Sequence, residues 1–111
     1  MSDNCIFCKI ANGQIPTDFV YENKNVVVFR DINPQAPVHL LVVPKVHIET
    51  LNDLNDKELS AELFCAIKEA TKKLGINEYR TVINTGKTAG QEVFHLHIHV
   101  MAGRDFSWPA G

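Results

Sequence analysis

The sequence has no excess of positive charge. Eleven Lys and Arg residues stand against thirteen Asp and Glu residues, which gives a formal net charge of −2 and a pI near 6.2. A strongly basic surface is what normally holds a nucleic-acid backbone or an anionic membrane. We therefore expect neither a nucleic acid nor a membrane surface among the partners of this chain.

Long apolar runs are also missing. The most apolar stretch, residues 38–43, is interrupted by His39 and is far shorter than the roughly 20 residues that a membrane-spanning helix needs. The first ten residues contain no basic segment followed by an apolar run, which is the pattern of a secretory signal. These two absences predict a cytoplasmic location.

Internal repeats, low-complexity tracts and linkers are absent as well. With 111 residues, the chain is too short for two domains that each have a good core. Its 45% hydrophobic and 22% charged residues are typical of a globular protein. The sequence predicts one domain over residues 1–111.

Several short segments have strand or turn character. Residues 19–21 and 26–29 are β-branched and aromatic runs separated by a polar tetrapeptide, which predicts a hairpin. Residues 38–43 predict a further strand, closed by Pro44. Two more strands are expected at residues 79–84 and 93–101, and a short helix at residues 5–11.

One long helix is predicted after residue 55, because apolar side chains recur there at helical spacing. Asn55 and Glu58 resemble a capping box at its start, and Gly75 suits the left-handed residue after its last turn. The order of elements predicts an α+β fold, a mainly antiparallel sheet backed by this helix plus the short N-terminal one. The residues on its apolar face are Leu59, Leu63, Ile67, Ala70 and Leu74.

Three of the five histidines alternate with apolar residues near the C-terminus. In a strand, His95, His97 and His99 share one face, while Phe94, Leu96, Ile98 and Val100 share the other. A solvated polar face, or a metal site made from two of the rings, would also explain the pattern. The polar glycine-containing loop directly before it favours a functional site. A neutral imidazole is a competent nucleophile toward phosphorus.

The cysteines form the second unusual group. An odd count of three argues against a disulfide framework. Cys5 and Cys8 form a Cys-x-x-Cys pair that, with two histidines, would suit a tetrahedral zinc ion. Reduced thiols without a metal remain the alternative. Cys65 falls within the long helix and is expected to be a small buried apolar residue.

The segment Gly-Gln-Glu-Val-Phe-His-Leu-His-Ile-His-Val-Met at residues 90–101 resembles the histidine triad (HIT) superfamily of nucleotide hydrolases and transferases. Residues 31–39, 44–47 and the Trp-Pro-Ala-Gly ending at 108–111 share this resemblance, which runs nearly end to end. The chain is most similar to the Hint branch, the purine nucleoside phosphoramidases. The resemblance implies a single HIT-like domain.

The resemblance also implies a covalent two-step hydrolysis of a purine nucleoside 5′-phosphoramidate. His97 matches the nucleophile that attacks the α-phosphorus, and water then releases a nucleoside monophosphate. His99 matches the residue that assists the leaving amine, while His95 and His39 match residues that orient the nucleophile. This chemistry needs no cofactor.

Nucleotide contacts are implied in the same way. Asp31 matches the carboxylate that binds the ribose hydroxyls, and Trp108 belongs to a tail that in Hint relatives reaches the partner subunit's site in a homodimer. Asn84 and the backbone amides of Gly90, Gln91 and Glu92 match the groups that bind phosphate oxygens. An apolar purine pocket is matched by residues for which ordinary core packing is the alternative: Ile6, Phe7, Ile10, Phe29 and Ile32.

One position departs from the family pattern. Many Hint relatives have serine where this chain has Glu92, and an ionised carboxylate only accepts hydrogen bonds. Glu92 either turns outward and offers its backbone N–H alone, or is partly protonated and shapes the choice of leaving group.

Some HIT proteins also carry the cysteine pair, with a structural zinc ion completed by two histidines. The matching residues here are His47 and His95. Two other functions stay open: a dinucleoside polyphosphate hydrolase of the same superfamily, and a nucleotide-binding interaction module with incidental catalysis. The Trp-Pro-Ala-Gly ending argues against the first.

Overall fold

The computed structural model describes residues 4–111. In chain order its elements are α1 (Ile6–Ala11), β1 (Phe19–Glu22), β2 (Val26–Arg30), β3 (Val38–Pro44), α2 (Lys57–Lys73), β4 (Arg80–Val82) and β5 (Ile98–Ala102), with short 3-10 turns at Leu51–Asp53 and Lys87–Ala89. The five strands form one antiparallel sheet in the order β1-β2-β3-β5-β4. The predicted α+β fold is confirmed. Among residues 4–111, no helix has the length and apolar character needed to cross a bilayer.

Each face of the sheet is covered by a helix. One face packs against α2 through Val28, Leu40 and Val100, and the other packs against α1 through Val27 and Phe29. This double coverage explains why the strand β3 is an almost continuous apolar run, since its side chains are buried alternately under the two helices. The small helix α1 therefore closes the face of the sheet that carries the site.

The helix α2 presents the predicted apolar stripe to the sheet. Leu59, Leu63, Ile67 and Ala70 are buried, whereas Leu74 is only partly buried. The predicted capping box was wrong by one residue: the cap is Asp56, whose carboxylate accepts from the backbone N–H groups of residues 58 and 59. Gly75 follows the helix with a φ of 71°, as predicted.

Cys65 is exposed, so its interpretation as a buried apolar residue was wrong. It lies two residues after Leu63, which rotates it about 200° around the helix axis, away from the apolar stripe. Its neighbour Phe64 is exposed as well.

The last strand begins later than predicted. β5 starts at Ile98, so His95 and His97 precede the ladder, and Phe94 is 43% exposed where the alternation predicted a buried residue. The backbone N–H of Leu96 donates to the carbonyl of Ile48 at 2.6 Å, outside the sheet. The three histidines therefore do not lie together on one regular strand.

Candidate active site and metal cluster

His97 lies where the chain enters β5, beside α1. Its Nδ1 is 2.8 Å from the carbonyl oxygen of His95. Because a carbonyl only accepts, Nδ1 carries a proton, and in the neutral ring the lone pair is therefore on Nε2. The edge of the Phe7 ring packs against the imidazole, with 5.1 Å between ring centroids. The protein therefore fixes both the tautomer and the orientation of this ring.

The Nε2 atom of His97 faces a cavity. It makes no hydrogen bond to residues 4–111. In this part of the chain, every side-chain nitrogen or oxygen that is buried does have a partner. The unpaired Nε2 must therefore be accessible, although the side chain as a whole is only 8% exposed. An accessible, unprotonated imidazole nitrogen is the arrangement that a nucleophile requires.

His39 and His99 form a directed pair on neighbouring strands. The backbone N–H of Gln35 donates to Nδ1 of His39 at 3.0 Å. The proton of His39 is therefore on Nε2, which donates to Nδ1 of His99 at 2.9 Å. His99 in turn carries its proton on Nε2. The resemblance implies that His39 supports the nucleophile. In the structure its ring contacts His99, whose ring centroid lies 5.0 Å from that of His97.

Burial keeps this pair neutral. Desolvation lowers the pKa of His99 to about 4, helped by the neighbouring His97 and His39 rings and opposed by the Asp31 carboxylate. Burial also lowers the pKa of His39, and Asp31, 3.5 Å from its Nε2, opposes the shift. While both rings are neutral, each carries one proton, and in both rings that proton stays on Nε2.

A cavity of about 640 Å³ joins these groups to an apolar wall. The residues that line it include His97, His99, His39 and Asp31. Residues predicted for a purine pocket line it too: Ile6, Phe7, Ile10, Phe29 and Ile32, of which Phe7, Ile10 and Phe29 are buried in the core that joins α1 to the sheet. Phe7, Ile10 and Phe29 therefore pack in the core and also line the cavity, so core packing and a place in the predicted pocket are compatible for them.

Ile32 and Trp108 are strongly exposed among the predicted contact residues. Ile32 is 97% exposed but still lines the cavity. Trp108 is 84% exposed and does not line the cavity within this chain.

The loop before the histidines is held by its own hydrogen bonds. The N–H groups of Gly90 and Gln91 donate to the carbonyls of Lys87 and Gly86. The buried Gln91 side chain accepts from the N–H of Gly86 and donates to the carbonyls of Glu49 and Val93. Two of the three amides predicted to bind phosphate are therefore already engaged, and Gln91 does not line the cavity.

Asn84, Gly90 and Glu92 all line the cavity. The N–H of Glu92 makes no hydrogen bond within residues 4–111, so it is the amide available to a phosphate oxygen. Gly90 has a φ of 102°, and a side chain there would lie 3.7 Å from the Asn84 amide. That distance is an ordinary van der Waals contact, so the glycine is needed for its positive φ and not for space.

Cys5, Cys8, His47 and His95 form a compact cluster behind the cavity, with their ligand atoms within 4.8 Å of one another. Nδ1 of His95 lies 3.2 Å from Sγ of Cys5, 3.5 Å from Sγ of Cys8 and 3.2 Å from Nδ1 of His47. Around a tetrahedral zinc ion, neighbouring donor atoms are separated by about 3.3 to 3.8 Å. The four donors could therefore hold a metal ion.

The tautomer of His95 suits a metal ligand. Its Nε2 donates to the carbonyl oxygen of Pro44 at 2.8 Å, which turns the lone pair of Nδ1 toward the cluster. Burial lowers the pKa of His95 to about 4, so the ring is neutral. The Sγ of Cys5 also accepts from the backbone N–H of Cys8 at 3.3 Å.

Asp31, His39 and His99 also lie within ligand distance of one another. Their proton positions disfavour a metal there, because His39 carries a proton on the nitrogen that would face the ion and its other nitrogen accepts from Gln35. The first cluster is therefore the one suited to a metal.

Sequence reasoning did not identify several cavity residues. Leu41 lies directly opposite Phe29 in the β2–β3 register, which puts both on the site face. That register depends on tertiary pairing. Other lining residues come from the segment between α1 and β1, from the end of β2 and the loop after it, and from the segment before β5: Ile15, Pro16, Thr17, Arg30, Asn33, Gln35 and Val93.

Comparisons with known proteins agree on one family. Residues 12–106 match the HIT domain model. The chain is 50% identical over 102 residues to protein HitA of Neisseria gonorrhoeae, which covers 89% of this chain and 95% of HitA. It is 46% identical to an uncharacterized HIT-like protein of Synechococcus elongatus over the whole of both chains.

Solved structures lead to the same result. A HIT family hydrolase from Legionella pneumophila superposes with a TM-score of 0.92 at 50% identity, covering 97% of this chain and all of that one. A histidine triad protein from Clostridium difficile superposes with a TM-score of 0.91 at 43% identity, covering 96% of each. The histidine pattern, the fold and these comparisons show that the chain belongs to the HIT domain family and is a HIT-family hydrolase-like protein.

Proposed function

We propose that the chain hydrolyses purine nucleoside 5′-phosphoramidates to a nucleoside monophosphate and an amine, as in the Hint branch, through a nucleotidyl-histidine on His97. The observation that carries the proposal is the fixed tautomer of His97. Its Nδ1 donates to the His95 carbonyl, and its free Nε2 opens on the cavity. Pure binding would not require an accessible lone pair held in this way.

The cavity divides into parts that suit a purine nucleotide. Phe7, Ile10 and Phe29 offer an apolar surface to a base, and the Asp31 carboxylate can accept from ribose hydroxyls. Asn84 and the N–H of Glu92 are donors for phosphate oxygens.

In the first step, Nε2 of His97 bonds to the α-phosphorus as the P–N bond breaks. The departing nitrogen gains one proton and leaves as an amine; the Nε2–H of His99 donates to it, and solvent replaces that proton. In the second step, water adds to phosphorus, the bond to Nε2 breaks and one proton returns to solvent. Two displacements at phosphorus, by His97 and then by water, thus replace a single direct hydrolysis that would be more difficult.

The test is AMP release from adenosine 5′-phosphoramidate, followed by chromatography for the wild type, His97→Ala and Cys65→Ser. Wild type and Cys65→Ser should turn over alike, because Cys65 is exposed on the far face of α2. His97→Ala should lose activity by at least about 10³-fold, as expected when a nucleophile is removed. An inactive wild type, or a His97→Ala variant that matches it, would contradict the proposal.

We further propose that the cysteine–histidine cluster holds a structural zinc ion. Two thiolates and two imidazoles are the donors that zinc prefers, and four protein ligands would close its coordination. Such an ion would link α1 to the segment that follows β3 and to the chain before β5, and so support the cavity wall. A metal-binding role for the cysteine pair, in place of a disulfide, also fits the predicted cytoplasmic location.

A homodimer is the assembly we propose. Among the described strands, β4 ends the sheet and pairs on one side only, and Phe64 and Trp108 are exposed. Sedimentation at micromolar protein should show a species of twice 12.4 kDa, and a monomer alone would contradict this.

A further inference from the structure

The C-terminal turn, residues 103–107, lies against the loop that precedes β3. Gly103 has a φ of 97°, and a Cβ atom there would come within 2.8 Å of Cβ of Pro37. The guanidinium Nε of Arg104 donates to the carbonyl of Gln35 at 2.9 Å. The turn is therefore in direct contact with the loop that supports His39.

Arg104 is held in place from its other side. The guanidinium lies 4.1 Å from the ring centroid of Phe106 and donates to the carbonyl of Asp105. Arg80 contacts the same ring, 5.0 Å from its centroid, and donates to the carbonyl of Ser107. The aromatic ring between two guanidinium groups restrains Arg104, which lowers the entropic cost of its bond to Gln35.

Gln35 connects this contact to the active site. Its carbonyl accepts from Arg104, and its N–H donates to Nδ1 of His39. That second bond determines which nitrogen of His39 carries the proton, and His39 then donates to His99. If Gln35 moves, Nδ1 of His39 can take the proton, and the pair can reverse its direction.

We propose that Arg104 is a positioning residue: by anchoring Gln35 it keeps the proton of His99 on Nε2, the atom that faces the cavity. Arg104 does not line the cavity and acts only through Gln35 and His39. The effect on turnover rests on the proposed function, whereas the effect on the tautomers does not.

The test compares Arg104→Met with Arg80→Met. Each variant removes a cation from Phe106 and a bond to the turn, but only Arg104→Met removes the bond to Gln35. Proton–nitrogen correlation NMR of the His39 and His99 side chains reports the tautomers. Kinetics with adenosine 5′-phosphoramidate report kcat and KM.

In Arg104→Met, we expect His99 to lose its single Nε2–H tautomer, and kcat to fall by about 5- to 10-fold, the effect of losing one ordinary hydrogen bond. KM should change by less than about twofold, since nucleotide contacts remain. Arg80→Met should keep wild-type tautomers and kcat. Arg104→Lys retains the charge but has no Nε–H, so it should behave like Arg104→Met.

Wild-type tautomers in both Arg104 variants would overturn the proposal, as would an equal loss in Arg80→Met, which would show a general effect of the turn. If wild type itself proves inactive on phosphoramidates, only the proposed function fails, because the NMR comparison still decides the role of Arg104. Should Arg104→Met not fold, Arg104→Lys, which keeps the aliphatic stem and the charge, gives the same comparison.

Discussion

The neutral state of His99 makes a quantitative prediction about pH. Burial and the rings of His97 and His39 lower its pKa to about 4, against an ordinary value of 6.5. At pH 6, about 1% of His99 should be protonated, compared with about three-quarters of a free histidine. His99 should therefore remain neutral, with its one proton on Nε2, well below neutral pH.

The sign of the effect on stability follows from where protons bind. Between pH 6.5 and pH 4, the unfolded chain takes up a proton at this residue that the folded chain refuses, so acidification favours unfolding. A shift of this size corresponds to about 3 kcal/mol, and the water contact of the half-buried ring reduces it to about 2 kcal/mol. The contribution is fully present above pH 6.5 and is lost as pH falls toward 4.

The assay is a pair of urea unfolding experiments at pH 7 and pH 5 on the wild type and His99→Gln. From pH 7 to pH 5, the free energy of unfolding should fall by about 1 to 2 kcal/mol more in the wild type than in the variant. The variant keeps the cysteine–histidine cluster, so any effect of acid on that cluster cancels in the comparison. Equal losses in the two proteins, or an NMR titration of His99 near pH 6.5, would refute the reasoning.

Three further predictions concern the metal cluster, the loop and the core. Cys8→Ser should reduce bound zinc by elemental analysis and weaken AMP binding by calorimetry, because α1 carries part of the cavity wall; Cys65→Ser is the matched control, and unchanged metal content would contradict the ligand set. Gly90→Ala should lower the free energy of unfolding by about 1 to 2 kcal/mol from its positive φ alone; a loss below 0.5 kcal/mol in urea would oppose this. Leu63→Ala should cost about 3 kcal/mol, because Leu63 is 1% exposed at the centre of the α2 face; a loss under about 1 kcal/mol would show that the core repacks.

Periodicity explains why the fold was predictable. The stripe on α2 and the apolar run of β3 are repeated over enough residues to identify a helix and a buried strand. Element ends depend on single contacts, which periodicity does not encode. The cap at Asp56 and the late start of β5 at Ile98 were missed for this reason.

The residues of the candidate site were more predictable than their roles. The spacing of the histidines pointed to the row His95, His97 and His99, and the family resemblance implied their roles. The contact of His39 with His99 depends on the β3–β5 register, which pairs Leu41 with His99. The sequence also could not show that the amides of Gly90 and Gln91 are engaged within their own loop, since that follows from its fold.

The central claim is that His97 forms a covalent bond to the α-phosphorus. Intact-mass spectrometry after rapid acid quenching of wild type with adenosine 5′-phosphoramidate tests it, with His97→Ala as the control and fragmentation to locate the adduct. The account predicts a mass increase of one adenylyl group on His97 in wild type and none in the variant. The claim would be contradicted if samples quenched during turnover contained no adduct, or if the adduct lay on another residue.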